Sequence, residues 1–168
     1  MTDIKVTLLN GRSHLKHTCG GDFREATYRA LRQGLEKAEN ILLEPYYRFV
    51  IEAPSEYVGR ILTDVQRLHG TFEDPINRED KVIIKGRGPV STFMDYTMEV
   101  VAFTRGRGII SLIYDGYDLC HNSDEVIERR NYNKNADIEY TSNSVFCSHG
   151  SGYIVEWQDA DEKMHSFK

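Results

Sequence analysis

Residues 42–70 read LLEPYYRFVIEAPSEYVGRILTDVQRLHG, and a change of period inside this stretch decides the fold. Tyr47, Phe49 and Ile51 alternate with Tyr46, Arg48 and Val50, an aromatic and β-branched period of two that predicts a strand ending at Pro54. Past Ser55, a residue type suited to capping a helix, Tyr57, Val58, Ile61, Leu62, Val65 and Leu68 recur every three or four positions. That spacing predicts a helix stopped by Gly70. A strand therefore feeds a helix.

Downstream, residues 71–75 suit a short strand with Pro75 at its end or edge, where a missing N–H is tolerated. Asn77-Arg78-Glu79-Asp80 reads as a turn and residues 81–85 as the next strand, broken at 86–89. Val90, Phe93, Met94, Thr97, Met98 and Val101 predict a second amphipathic helix with this stripe in the core, and residues 109–114 a last apolar strand. The order is βαββαβ, an α+β class with the ferredoxin-like arrangement of two split βαβ halves. Many functions share that topology. An RNA-recognition module would carry stacking aromatics on its third strand, where this chain has Val82-Ile83-Ile84-Lys85-Gly86-Arg87-Gly88.

Upstream, residues 4–9 predict a strand ended by the turn dipeptide Asn10-Gly11. Residues 12–21 are polar and cationic with a glycine pair, an exposed loop. Asp22 is placed to cap a helix reaching about residue 38, with Phe23, Thr27, Ala30, Leu31, Leu35 and Ala38 on its inner face.

Three strings resemble the C-terminal part of elongation factor G and its relatives, the tetracycline-resistance ribosomal protection proteins. They are Leu42-Leu43-Glu44-Pro45; Pro54-Ser55-Glu56-Tyr57-Val58-Gly59 followed by Asp64, Arg67 and Gly70; and Thr104-Arg105-Gly106-Arg107-Gly108. In addition, DFREATYRAL, from Asp22, resembles the helix that closes the tRNA-mimicking domain of those factors. The resemblance implies the end of that domain over residues 1–40 (strand, tip loop and helix), the ferredoxin-like last domain over 41–118, and a family-specific extension over 119–168. It implies a ribosome-contacting region of a translational GTPase that hydrolyses GTP, with Mg, in a domain this chain does not contain. No cofactor is then expected in the chain itself. By the same resemblance His14, Leu15, Lys16, His17 and Thr18 form the tip that reaches the ribosome, and Arg60, Arg67, Arg105 and Arg107 are cations available to rRNA. A loop of this make-up is otherwise an ordinary solvated surface.

Composition narrows the alternatives. The 168 residues are 40% hydrophobic and 28% charged, an ordinary globular balance. The net charge of -5 is uneven: residues 1–108 hold 16 Lys and Arg against 15 Asp and Glu, and residues 109–168 hold 5 against 11. The chain thus lacks the basic excess of a protein held to nucleic acid by nonspecific phosphate attraction. There is no apolar run long enough for a membrane span and no apolar core of a signal peptide in MTDIKVT, so a cytoplasmic chain is expected. Three cysteines in no paired spacing fit a reducing compartment.

Catalytic motifs are missing. No G-x-x-x-x-G-K-[ST] loop occurs, and Asn133-Lys134-Asn135-Ala136 lacks the acid a guanine-reading loop requires. Cys120, His121, Cys147 and His149 offer the ligand types of a Cys₂His₂ zinc site at unfamiliar spacing, and His14, His17 and Cys19 form a weaker set. From a different class, a free-standing ferredoxin-like module binding a small ligand would leave little trace in the sequence.

The extension contains two apolar runs, 144–150 and 153–157, split by a glycine-rich bend. The strand at 4–9 and the helix after Asp22 cannot bury their apolar faces on each other alone, and a four-stranded sheet with both helices on one side leaves Tyr46 and Val50 facing water. The extension is therefore expected to dock across one of these surfaces with Trp157 largely buried. The alternative is a homodimer paired through the orphan strand.

Overall fold

Strand β1 (Leu43–Pro54) lies between two antiparallel neighbours, β4 (Lys81–Pro89) and β5 (Ile109–Leu119). The outer edge of β4 pairs with two short pieces, β2 (Thr71–Phe72) and β3 (Ile76–Arg78), giving the order β2-β4-β1-β5. The structure is a computed structural model and describes residues 1–164. Alternation along β1 puts Phe49, Ile51 and Ala53 on the covered face, where they meet Ile61, Val65 and Leu68 of the α2 segment and Phe93, Tyr96 and Val100 of the second helical segment. The antiparallel sheet with helices on one face is the expected ferredoxin-like α+β arrangement.

Several local expectations are corrected. Pro75 has no N–H to give to the ladder, so the expected strand at 71–75 is split, and β3 takes Asn77 and Arg78 out of the expected turn. Strand β4 does not break at 86–89 but runs through Gly86 and Gly88, because both lie under aromatic rings. A Cβ on Gly88 would stand 2.1 Å from Phe93, and one on Gly86 2.4 Å from Phe49.

Ser55 does not cap α2 (Val58–Arg67): it lies in a 3-10 turn, Ser55–Tyr57, and its hydroxyl is buried without a partner. The second helix is two pieces, α3 (Val90–Phe93) and α4 (Tyr96–Phe103), with a turn at Met94 and Asp95. The break resets the periodicity, so Phe93, Tyr96 and Val100 are buried while Met94, Met98 and Val101 are exposed.

Residues Ile41–Asn131 form one compact unit, including helix α5 (Ser123–Arg130), whose C-cap Asn131 is left-handed. Leu119 pairs with Leu43, so β5 continues past residue 118.

The second unit combines Met1–Asn40 with the residues from Tyr132 on. Its main helix is α1 (Gly20–Lys37), which starts two residues before Asp22. Cys19 takes the N-cap position, and the Asp22 carboxylate reaches back to accept its N–H at 2.8 Å.

Residues 4–9 form no strand. Among the described residues no partner ladder satisfies their backbone, and Ile4, Val6, Leu8 and Leu9 are exposed. Hairpin β6 (Ser144–Ser148) and β7 (Ser151–Val155) turns through His149 and Gly150, both at positive φ. It is followed by α6 (Ala160–Lys163).

The extension does dock, though not on either predicted surface. It contacts the polar side of α1 through Asn143, Trp157 and Asp161, leaving Phe23 and Leu31 exposed. Trp157 is half-buried instead of largely buried, because the recognised group is its backbone carbonyl.

Candidate functional site

The loop ahead of α1 is a tight turn held by its own polar groups. The His14 carbonyl accepts the N–H of His17 at 3.3 Å and of Thr18 at 3.1 Å, and the His14 N–H donates to the Thr18 hydroxyl at 2.7 Å. The Lys16 N–H points to His14 Nδ1 at 3.3 Å, and the two imidazoles meet edge to face at 4.7 Å. These contacts leave His14, Leu15, Lys16 and His17 exposed and Thr18 half-buried. Leu15 has no cover at all, at 101% exposure, which makes an apolar contact available beside a cation.

The four candidate arginines lie on the other unit, and three are occupied. Arg60 sits over the Phe103 ring at 4.2 Å and 3.5 Å from Asp64. Arg67 pairs with Glu99 at 3.0 Å and Asp64 at 3.4 Å. Arg107 donates to Glu56 at 2.6 Å and to the Tyr57 hydroxyl at 3.0 Å, which ties two of the resembling strings together. Arg105, at φ 55°, has no side-chain ion pair among the described residues. The pairs to Glu99 and Glu56 are exposed on both sides and contribute about 0–1 kcal/mol each, so a polyanion could displace those at small cost.

The strings themselves prove largely architectural. Thr104 is fully buried, its hydroxyl donating to the Val100 carbonyl at 2.6 Å and accepting the Gly108 N–H at 2.8 Å. Asp64, also buried, accepts the Tyr96 hydroxyl at 3.2 Å. Burial, with the Asp64 charge next, pushes the Tyr96 phenol well above the usual range.

Sequence reasoning missed two polar clusters. Glu44, in the LLEP string, accepts the His121 N–H at 2.8 Å, lies 2.6 Å from His121 Nδ1 and takes the Ser91 hydroxyl at 3.0 Å, while the His69 ring lies 4.4 Å from that of His121. On the open sheet face Arg87 binds Asp115 and Asp118 and covers Tyr46 at 4.6 Å. The one available sign of the first was a carboxylate flanked by Leu43 and Pro45 in an apolar strand.

No group of three or more His, Cys, Asp or Glu among the described residues is placed to hold a metal ion. His121 is engaged by Glu44, the Cys120 thiol faces Asn122 at 3.5 Å, and Cys147 and His149 stand exposed on the hairpin. His14, His17 and Cys19 likewise gather no such set. No described helix is long and apolar enough to cross a membrane.

Two family models match this chain. The family model described as elongation factor G C-terminus matches residues 41–126, and that described as elongation factor G, domain IV matches residues 1–39. Tetracycline resistance protein TetP of Clostridium perfringens is 33% identical over 117 residues, 70% of this chain and 18% of that protein. A crystal structure of a Thermus thermophilus protein aligns with 58% of this chain and 15% of its own, at TM-score 0.52 and 26% identity. The chain thus spans less than a fifth of the curated relative's length.

Proposed function

The chain belongs to the elongation factor G C-terminus family, with a domain IV segment ahead of it, and from that premise we propose that it is the ribosome-contacting region of a translational GTPase of the ribosomal protection type. In this reading GTP is bound with Mg and hydrolysed by a domain outside these residues, and the region itself does no chemistry. It works in the cytoplasm, where ribosomes are.

The observation that carries the reading is the loop at 14–18, an exposed knob with Leu15, Lys16 and two imidazoles, held in shape by Thr18 at the entrance to an 18-residue helix. Such a knob can place a cation and an apolar tip against RNA without itself refolding, so little ordering entropy is lost on contact. The paired arginines of the other unit supply weaker, salt-sensitive contacts. Similarity to TetP favours a tetracycline-linked role over translocation.

Replacing His14, Lys16 and His17 together by alanine tests this. The variant should fold with stability changed by less than about 0.5 kcal/mol, as surface substitutions do, and the intact factor should lose ribosome-dependent activity. Full activity of that variant on ribosomes would sink the reading, as would GTP turnover by residues 1–168 alone.

A further inference from the structure

Helix α1 has two faces of opposite chemistry, and the segment after Tyr132 grips only one. Phe23, Ala30 and Leu31 lie on the exposed apolar side. On the other side, Arg29, Gln33 and Glu36 follow at three- and four-residue steps. Gln33 is buried at 5% exposure, and its Nε2 donates to the Trp157 carbonyl and to Asp161 Oδ1, both at 2.9 Å. Lys37 also pairs with Asp161, and Arg29 donates to the Asn143 carbonyl. Glu36 accepts from Lys134 at 2.7 Å and Ser142 at 2.9 Å, and Arg32 lies over Tyr140 at 5.2 Å.

The gripping segment is itself organised. Trp157 N–H donates to Asn143 Oδ1 at 3.2 Å, which fastens the end of the hairpin to its beginning, and Val155 and Ala160 are buried. We propose that residues 132–163 are a brace: they fix the direction of α1 and so the attitude of the loop at 14–18 that leads into it. This rests on the loop being the part that meets the ribosome.

The mechanics favour such a role. A helix of this length is a rod of about 27 Å, so a tilt of about 5° at the gripped half moves the loop end by about 2 Å. Errors of that size are costly wherever groups must meet in fixed geometry. The grip also leaves the apolar stripe free, so it adds to whatever covers that stripe instead of substituting for it. Gln33 and Asp161 are thus positioning residues.

The test compares three forms of the full-length factor: the parent, a version ending at Asn131, and a Gln33→Ala, Asp161→Ala double variant. Amide exchange at residues 29–37 should rise by at least about tenfold in both altered forms, with α2 unchanged. Activity on ribosomes should fall while GTP hydrolysis without ribosomes stays the same. Asp161→Lys should also loosen the helix, and adding Lys37→Glu should restore both exchange and activity.

Unchanged exchange in α1 would overturn the brace, and so would fast exchange with full ribosome activity while the His14, Lys16, His17 triple variant is impaired. If that triple variant is fully active, the loop reading has failed instead, and exchange alone then decides whether the segment holds the helix.

Discussion

Glu44 shows how a single side chain can serve a fold while looking, in sequence, like part of a string. Burial opposes its ionisation, but hydrogen bonds from the His121 backbone and ring and from Ser91 outweigh that and hold its carboxyl below the ordinary value of 4.5. A carboxyl lowered on folding adds stability that is complete above the ordinary value and disappears as pH falls through the folded value. Glu44→Ala should therefore cost about 1–3 kcal/mol at neutral pH, since it leaves the half-buried His121 N–H without its acceptor. The loss should shrink as pH falls below 4.5, where the unfolded chain's carboxyl takes up its proton, and vanish below the lowered folded value, where the native carboxyl is protonated too. Denaturant titration at pH 7 and pH 3 measures both; equal losses at the two values would contradict the assignment. The residue was visible in the sequence, but its partner His121 lies 77 positions away and no local pattern joins them.

Elements were legible where one periodicity covered the whole element. Strand β1 and helix α2 emerged from alternation and from the three-and-four spacing because one buried face runs through each. Long-range contacts decided the rest. The glycines of β4 look like a break, yet they are the places where Phe93 and Phe49 lie flat on the strand, 5.0 Å apart and stacked. The turn at Asp95 left no sign against an unbroken helical stripe. Residues 4–9 carry strand propensity without a ladder, and propensity alone does not satisfy a backbone. Gly88→Ala should cost about 1–3 kcal/mol, as overpacking does, because its methyl would meet Phe93 at 2.1 Å. Gly106→Ala meets open space but sits at φ 77°, so its cost is backbone strain of about 1 kcal/mol. Chemical denaturation of Gly88→Ala and of Gly88→Ala, Phe93→Leu distinguishes packing from backbone: recovery in the second identifies the ring as the obstacle.

For the whole molecule, sequence reading put one boundary near residue 118 and treated everything after it as a single extension. The structure assigns residues 119–131 to the unit containing the sheet and the residues from Tyr132 on to the unit containing α1. No warning was visible beforehand, because a chain that leaves a domain and returns to an earlier segment shows no change of composition at the crossing. The sheet and its core cluster lie wholly within Ile41–Asn131. That span exceeds the roughly 40 residues below which a domain ordinarily needs a staple. Residues 41–131 alone should therefore unfold in one cooperative step and protect the same β1, β4 and β5 amides as the full chain. Ending the piece at Asp118 should be worse by about 1–3 kcal/mol, because it removes Leu119 opposite Leu43, the Cys120 N–H donated to the Leu42 carbonyl at 3.0 Å and the His121 donors on Glu44. Equal stability of the two pieces would mean that residues 119–131 add nothing to the sheet. An unfolded 41–131 piece would mean that the sheet unit depends on the other half of the chain.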